Sequence, residues 1–397
     1  MKPIEISPHI YWIGVNDTQT ILFEGLWLIE KEGISYNSYL IKDEKTVLID
    51  LCKAVFQDEY LYNLESLVSL KEIDYLIVNH MEPDHSGALV EFHARAPQAT
   101  ILATKKAVGM IRDFSGITEN VQMVADRETL NLGSKTLTFR TAPMVHWPET
   151  MVTFESSSGT LFPCDAFGGY GVLSDGIFDD DYDDTSTYER EALRYFSNIV
   201  AAFSKPVLNA ASKLTDLPIK IVAPSHGLVW RKSPQRIIDL YMKWSGYSKG
   251  KAQTAVTILH GTMYGNTAAM LPHIQAGLEK VGAPYTTHDI NTTHISYILP
   301  DLWKNQGVIV GAPTYEGSIF PTMASVLQMA EYKRIFNKDA AYYGSFGWGG
   351  GAMRYMHSQC ETLKWNLQGS FEFPGSPTKK DMQSAVDFAT QFAETIV

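Results

Sequence analysis

Cysteine is scarce. The 397 residues hold three, Cys52, Cys164 and Cys360, an odd number, widely spaced and without a CxxC pair. Such a set builds no disulfide framework, and the cytoplasm is the expected compartment. It also leaves no cysteine quartet for a rubredoxin-type iron site within the chain, so a donor of that kind is expected to be a separate protein. Basic charge is short as well: 33 Lys+Arg against 44 Asp+Glu give a formal net charge of −11. That balance excludes the basic face that nucleic-acid binding needs. It fits a solvated surface able to steer a basic region of a redox partner. No apolar run approaches the roughly 20 residues of a membrane span. The start, Met1-Lys2-Pro3-Ile4-Glu5, lacks the apolar stretch of a signal peptide. No membrane association is expected, and the length gives room for two or three globular domains.

Against these absences stands one dense stretch, His80-Met81-Glu82-Pro83-Asp84-His85, directly after the apolar run Tyr75-Leu76-Ile77-Val78. The run reads as a buried strand, so four metal-capable side chains sit at its C-terminal mouth, on a turn stiffened by Pro83. A turn can converge alternate side chains on one point, whereas a continuing strand sends neighbours to opposite faces. Two imidazoles and two carboxylates suit iron, manganese or zinc, and suit neither copper(I) nor an iron–sulfur cluster. The competing reading is an exposed polar turn that caps a following helix.

The order of the chain favours the metal. Ser35–Ile41 and Thr46–Leu51 flank Lys42–Lys45 as a hairpin, Gln57–Ser69 has helical spacing, and Gly87–Ala96 reads as a helix ending before Pro97. Three further strand ends then carry one candidate ligand each. Leu137–Arg140 leads to His146, Thr160–Phe162 to Asp165, and Ile219–Val222 to His226. Any one of these alone is more often a cap. Together with the dense stretch they make a set of seven, too many for one tetrahedral zinc and suited to two metals with open positions. Asp165 is the natural bridge, since a carboxylate has two oxygens. Between the last two ligands, Ser186–Leu214 reads as a covering helix pair that opens on a capping-box pattern, Ser186 to Glu189, and breaks near Pro206.

These residues resemble the metallo-β-lactamase superfamily, an αββα sandwich. His80-x-Glu82-x-Asp84-His85 stands where its hydrolases show HxHxDH. Glu82 replaces the second histidine, which makes the site richer in carboxylate and favours iron over zinc.

Near Ser245–Lys251 the composition turns small and polar, as a linker does. The expected domains are therefore 1–248 and 252–397. The second opens with a βαβ pattern: Thr254–His260 as a buried strand, the turn Gly261-Thr262-Met263-Tyr264-Gly265-Asn266-Thr267, and a helix over Ala268–Val281. A hydroxyl- and glycine-rich turn at a helix start can wrap a phosphate with backbone N–H groups. Without a Walker lysine it disfavours a nucleoside triphosphate. Gly307–Gly311 leads into Pro313-Thr314-Tyr315-Glu316-Gly317, and Ala340–Ser345 into Phe346-Gly347-Trp348-Gly349-Gly350-Gly351. In an open α/β sheet such loops meet at the topological switch point. There Tyr315 and Trp348 could sandwich a flat ring.

This part resembles a flavodoxin, a doubly wound parallel sheet of order 2-1-3-4-5 that holds FMN. The resemblance implies that Thr262, Tyr264, Gly265, Asn266 and Thr267 hold the phosphate. It places Pro313, Thr314, Tyr315, Ser345, Phe346, Gly347 and Trp348 around the isoalloxazine, with Met263, Gly317, Gly349 and Gly350 completing the cofactor set. Taken together, residues 1–397 resemble the flavodiiron proteins, or A-type flavoproteins. Carried onto this sequence, that family implies two non-haem irons, one on His80, Glu82 and His146 and the other on Asp84, His85 and His226, bridged by Asp165. It also implies an oxidoreductase that reduces dioxygen to water, nitric oxide to nitrous oxide, or both, with electrons relayed by FMN. The implied donor is rubredoxin, another reductase or reduced coenzyme F420. The implied assembly is a head-to-tail homodimer or a dimer of dimers. The alternative is a zinc-dependent hydrolase of the lactamase type with an appended flavodoxin domain, against which Glu82 counts.

Overall fold

The computed structural model describes residues 2–250 and 252–397. Met1 of the N-terminal stretch and Lys251 of the expected linker lie outside the described residues. The chain divides into two compact units between Ser245 and Gly246. Among the described residues no helix is long and apolar enough to cross a membrane.

The first unit is built on two sheets. One runs in chain order through β1 (Ile4–Ser7), β2 (Ile10–Trp12), β3 (Tyr39–Ile41), β4 (Val47–Ile49), β5 (Tyr75–Val78), β6 (Thr100–Thr104) and β7 (Val121–Val124). The expected hairpin is the antiparallel pair β3–β4. β5 is apolar because it pairs in parallel with β4 on one side and β6 on the other. A strand inside a sheet covered on both faces has no polar side to present, and Leu76, Ile77 and Val78 are all buried. The second sheet follows as β8 (Thr129–Asn131), β9 (Thr136–Thr141), β10 (Met151–Glu155), β11 (Thr160–Phe162) and β12 (Ile221–Val222). Its first four strands are antiparallel; β12 returns parallel to β11 after the helical excursion.

The two sheets are tied together at the mouth of β5. Asp50 beyond β4 accepts the backbone N–H of Asn79 at 2.8 Å and its side-chain amide at 3.1 Å. The Asn79 carbonyl accepts from Met151, the first residue of β10, at 3.0 Å, and its Oδ1 accepts from Thr153 at 2.8 Å. Burial pushes the Asp50 carboxyl up to about 6, even against these hydrogen bonds and the neighbouring His85 and His80. The strand end from which the histidine-rich stretch starts is thus fixed in both sheets before that stretch begins.

The excursion holds the expected two helices, with a break between them just ahead of Pro206. Ser186–Tyr195 is α-helical, Phe196–Val200 widens into a π turn, Ala201–Phe203 tightens into a 3-10 turn, and Ser204–Ser212 resumes the α-helix. The interruption precedes Pro206, which lies in the first turn of the last helix, where its missing N–H has no intrahelical partner to lose. All five residues of the π turn are buried, so the register change serves their packing. The expected capping box does not form. Ser186 bonds to Asp184 through its N–H at 2.8 Å and its hydroxyl at 2.7 Å, and it is Thr185 that donates to Glu189, at 2.9 Å.

The second unit is a five-stranded parallel sheet of β13 (Gln253–His260), β14 (Tyr285–Asp289), β15 (Asn305–Gly311), β16 (Asp339–Phe346) and β17 (Asn366–Pro374). Its spatial order, β14-β13-β15-β16-β17, is the expected 2-1-3-4-5. The helices Leu271–Val281 and Lys379–Glu394 share a core with it, made by Val256, Ile258, Ile274, Leu278, Tyr343 and Ala389. Ile274 is fully buried there, so its truncation to alanine costs about 2–5 kcal/mol. Parallel strands end on one edge, and this edge gathers the loops that follow β13, β15, β16 and β17.

Candidate metal centre and cofactor cavity

The expected turn after β5 becomes one helical turn, Pro83–Ser86, with Pro83 at a first-turn position. It is held from below: Leu51 N–H donates to the His85 carbonyl at 2.9 Å, and the Ser86 hydroxyl donates to the Met81 carbonyl at 2.8 Å. A helical turn sends Glu82 and Asp84 to different sides, so the two carboxylates join different groups of histidines.

In the first group, His80 Nε2 lies 3.3 Å from Glu82 Oε2 and His146 Nε2 lies 3.0 Å from that same oxygen. Both imidazoles stand 3.2 Å from Asp165 Oδ2. In the second group, Asp84 Oδ1 is 3.4 Å from His85 Nε2, and Asp84 Oδ2 is 3.2 Å from His226 Nε2. Asp165 Oδ1 stands 2.9 Å from His85 Nε2 and 3.3 Å from His226 Nε2. Asp165 thus turns one oxygen to each group. Donors at about 2.1 Å from a shared ion, at right angles to one another, lie about 3.0 Å apart. These separations have that size.

The donor atoms also lack other partners. Both Asp84 oxygens, Asp165 Oδ2, His146 Nε2 and His226 Nε2 are buried without a hydrogen bond among the described residues. Buried polar groups are otherwise nearly always satisfied, so this cluster fits two cations. Either group, taken with Asp165, supplies two imidazoles and carboxylate oxygens, a set suited to iron. Charge follows the geometry. Burial alone would disfavour the charged forms, but it is outweighed throughout. Asp165 is held well below the usual carboxylate range by His85, His146, His226 and His80, and Glu82 is held low by His146 and His80. His146 rises to about 9 and His226 to about 10 on the carboxylates they face. Removing the protons from these rings is what a cation does in binding them.

All seven residues named from the sequence meet here. Several others were not legible there. Glu149 accepts from His80 Nδ1 at 2.7 Å and from the Met81 N–H at 2.9 Å. His226 Nδ1 donates to the Ser35 carbonyl at 2.7 Å. Each of these bonds fixes the tautomer that leaves Nε2 facing the cluster. Asn37 stitches the His226 loop from behind, donating to the Pro224 and Gly227 carbonyls at 2.9 Å each. A short hairpin, Leu22–Phe23 with Trp27–Leu28, places Phe23 edge-on to His226 at 5.8 Å between ring centres. Its Glu24 is pushed up to about 7, first by burial of the carboxyl and then by the charge of Glu82. Trp147 stands edge-on to His80 at 5.1 Å. Cys164 Sγ lies within 4.8 Å of ligand atoms of His85 and Asp165, and burial and the Asp165 charge push its thiol well up. No local pattern marks Ser35 or Glu24, which reach the site from a distant strand and hairpin, and Glu149, three residues after His146, turns to His80 rather than to its neighbour.

In the second unit a cavity of about 710 Å³ opens at the strand-end edge. Fourteen of the sixteen expected cofactor residues line it; Gly265 and Thr267 do not, and Glu316 and Gly375 join it. Thr267 is fully buried and shares a 2.8 Å hydrogen bond with Ser345, so it ties the first loop to the third from beneath. Gly265 takes φ +93° and donates its N–H to the Thr262 hydroxyl at 2.9 Å, which curls the loop into a cradle. A β-carbon on Gly351 would meet the Gly317 carbonyl at 2.1 Å, so only glycine lets the second and third loops touch. Tyr264 and Trp348 stand exposed on the rim. The cavity is large enough for a flat tricyclic ring, with the cradle at one end for a phosphate.

Comparison with known proteins gives matches to both units. The model of a family described as "ODP family beta lactamase" matches residues 34–227. An anaerobic nitric oxide reductase flavorubredoxin of Pectobacterium atrosepticum is 36% identical over 384 residues, 92% of this chain and 74% of its own length. The solved rubredoxin oxygen:oxidoreductase of Desulfovibrio gigas superposes with a TM-score of 0.94 at 27% identity, covering 100% of this chain and 98% of its own. The flavodiiron protein of Giardia intestinalis gives 0.94 at 26% identity, covering 99% and 96%.

Proposed function

Because this chain belongs to the flavodiiron protein family, we propose that it reduces dioxygen to water, nitric oxide to nitrous oxide, or both, at a non-haem diiron site. One observation carries the reading: the two oxygens of Asp165 are divided between two histidine–carboxylate groups. One iron would be held by His80, Glu82 and His146, the other by Asp84, His85 and His226, with Asp165 between them. FMN would occupy the cavity of the second unit. When bound, two ferrous ions supply one electron each and reduced FMN two more, matching the four electrons and four protons that take dioxygen to two waters; two of each convert two nitric oxides to nitrous oxide and water.

The chain's own residues do the rest. Glu149 and the Ser35 carbonyl hold His80 and His226 with Nε2 inward. Phe23 and Trp147 pack against histidines of the cluster and keep bulk water from those faces. The Thr262–Gly265 cradle and the Asn291 side chain, which accepts from Thr262 N–H at 3.2 Å and donates back to its carbonyl at 3.1 Å, fix the phosphate end of the cavity. Tyr315 and Trp348 would flank the ring.

The donor is a rubredoxin-type protein on this reading, as the name of the Desulfovibrio relative indicates for that enzyme. Each unit also exposes apolar residues beside its own site: Ile21, Leu22 and Leu26 on the hairpin, Tyr264 and Trp348 on the cavity rim. That pattern supports a homodimer joined head to tail, with the two patches facing each other. Three free, buried cysteines support a cytoplasmic setting.

The test is metal and flavin analysis of protein expressed in iron-replete cells, joined to assays in which anaerobically reduced rubredoxin and enzyme are given dioxygen or nitric oxide. About two irons and one FMN per chain, with consumption of dioxygen or nitric oxide, is the expected result. Zinc at the site, with an activity indifferent to flavin reduction, would replace this reading with the hydrolase.

A further inference from the structure

We propose that Glu149 is a positioning residue that makes the two metal positions unequal, so that the position on His80, Glu82 and His146 binds its ion more tightly and is the harder of the two to reduce. This rests on the diiron reading above and adds to it an order of binding and of reduction.

The asymmetry lies behind the imidazoles. His80 Nδ1 donates to Glu149 Oε1 at 2.7 Å, and both side chains are shut off from solvent. The same oxygen also accepts from the Met81 N–H at 2.9 Å, while Oε2 is buried without a hydrogen bond among the described residues. Its charge is therefore directed at His80. The segment that carries it is anchored as well: the Glu149 carbonyl, two residues before β10 begins at Met151, accepts from the Thr104 hydroxyl at 2.8 Å. In the second group no imidazole Nδ1 bonds to a carboxylate among the described residues, and Asp50, whose carboxyl feels the charge of His85, bonds to Asn79 instead. His226 Nδ1 donates to a neutral carbonyl, that of Ser35, at 2.7 Å, and His85 Nδ1 has no hydrogen-bond partner among the described residues.

A carboxylate behind an imidazole strengthens the ring as an electron donor, and the effect is larger where water is absent. A stronger donor favours the more highly charged ion. The first position should therefore hold Fe(III) over Fe(II) more firmly than the second. Loss of such a partner typically costs about 10–100-fold in metal affinity. A tenfold change in the preference for one oxidation state corresponds to about 59 mV for one electron.

The experiment compares the wild-type holoprotein with Glu149→Gln. Glutamine keeps an oxygen to accept from His80 and removes the charge. Redox titration of 57Fe-loaded protein, followed by Mössbauer spectroscopy, should show one iron of the pair becoming easier to reduce in the variant by about 59 mV or more, with the other unmoved. Titration of apoprotein with Fe(II) alone should show one of two sites weakened about tenfold or more. Equal shifts at both irons, or none at either, would overturn the proposal. If the variant does not fold, partial chelation of the wild type decides. Anomalous diffraction must then find the remaining ion at His80, Glu82 and His146, and an ion remaining at Asp84, His85 and His226 rejects the idea. A protein that takes zinc instead of iron sinks the diiron reading, yet the affinity arm, run with Zn(II), still reads whether one site of two depends on Glu149.

Discussion

His85 brings Nε2 to 2.9 Å from Asp165 Oδ1, the carboxylate oxygen that also faces His226. The ring is held there by the helical turn it stands on, whose carbonyl at His85 accepts from Leu51. His85→Ala should therefore lose the second metal and keep the first. Iron content is expected to fall from about two per chain toward one, with FMN unchanged. Two tightly held irons in the variant would show that His85 is dispensable to the site.

Asp165 serves both groups, so its loss should not be selective. Asp165→Asn is expected to lower dioxygen or nitric oxide turnover at least about 100-fold, the upper end of what even an outer-shell partner supplies. Far-ultraviolet circular dichroism should match the wild type, since the side chain faces the four histidines and ties no strand. Retention of more than half the activity would remove Asp165 from the mechanism.

Trp348 stands fully exposed on the cavity rim. A side chain with nothing to pack against in the free protein gains its contacts only when a ring binds. Trp348→Ala should weaken FMN by about 0.5–1.5 kcal/mol, or roughly 2- to 13-fold in Kd, with stability of the apoprotein unchanged. Fluorescence titration of apoprotein with FMN measures this directly.

Gly265 has open space around its missing side chain but a φ of +93°. Gly265→Ala meets no neighbour and is penalised by backbone strain alone, about 1–2 kcal/mol. The melting temperature of the second unit should fall, and FMN should bind more weakly because the cradle relaxes. An unchanged flavin Kd would mean that this turn does not hold the phosphate.

Lys338 is buried, and its Nζ donates to the Trp303 carbonyl at 2.8 Å and the Asn305 carbonyl at 2.7 Å. Burial pulls its ammonium down to about 7, against about 10.4 in an unfolded chain. The folded state then binds fewer protons than the unfolded one between those values. The group's contribution to stability rises with pH through that window, and its penalty is fully present below pH 7. Urea unfolding of wild type and Lys338→Met should show the wild type gaining on the variant from pH 7 to 9. A gap that does not change with pH would place the ammonium at its ordinary value.

Much of this was legible in the sequence because the chemistry is local there. His80 to His85 lie within six residues, and an apolar strand points them at one place whatever the rest of the chain does. The parallel sheet of the second unit is equally local, since each βα turn follows directly from its strand. The helical excursion shows the opposite case. Ser186-Thr187-Tyr188-Glu189 has the capping spacing, yet Asp184 and Thr185 compete for those groups and win, and the break follows the packing of Phe196–Val200 rather than Pro206.

The residues themselves determined which atoms could bind a metal and how many there are. Only the tertiary structure decided how Asp165 divides its two oxygens, that Glu149 stands behind one histidine while a carbonyl stands behind another, and that Thr267 lies under the cavity instead of lining it. The bonds of Glu149 to His80, Thr267 to Ser345 and His226 to Ser35 join residues 69, 78 and 191 positions apart. Nothing in local spacing encodes them, because they arise where two sheets, or the ends of parallel strands, are brought to a common edge.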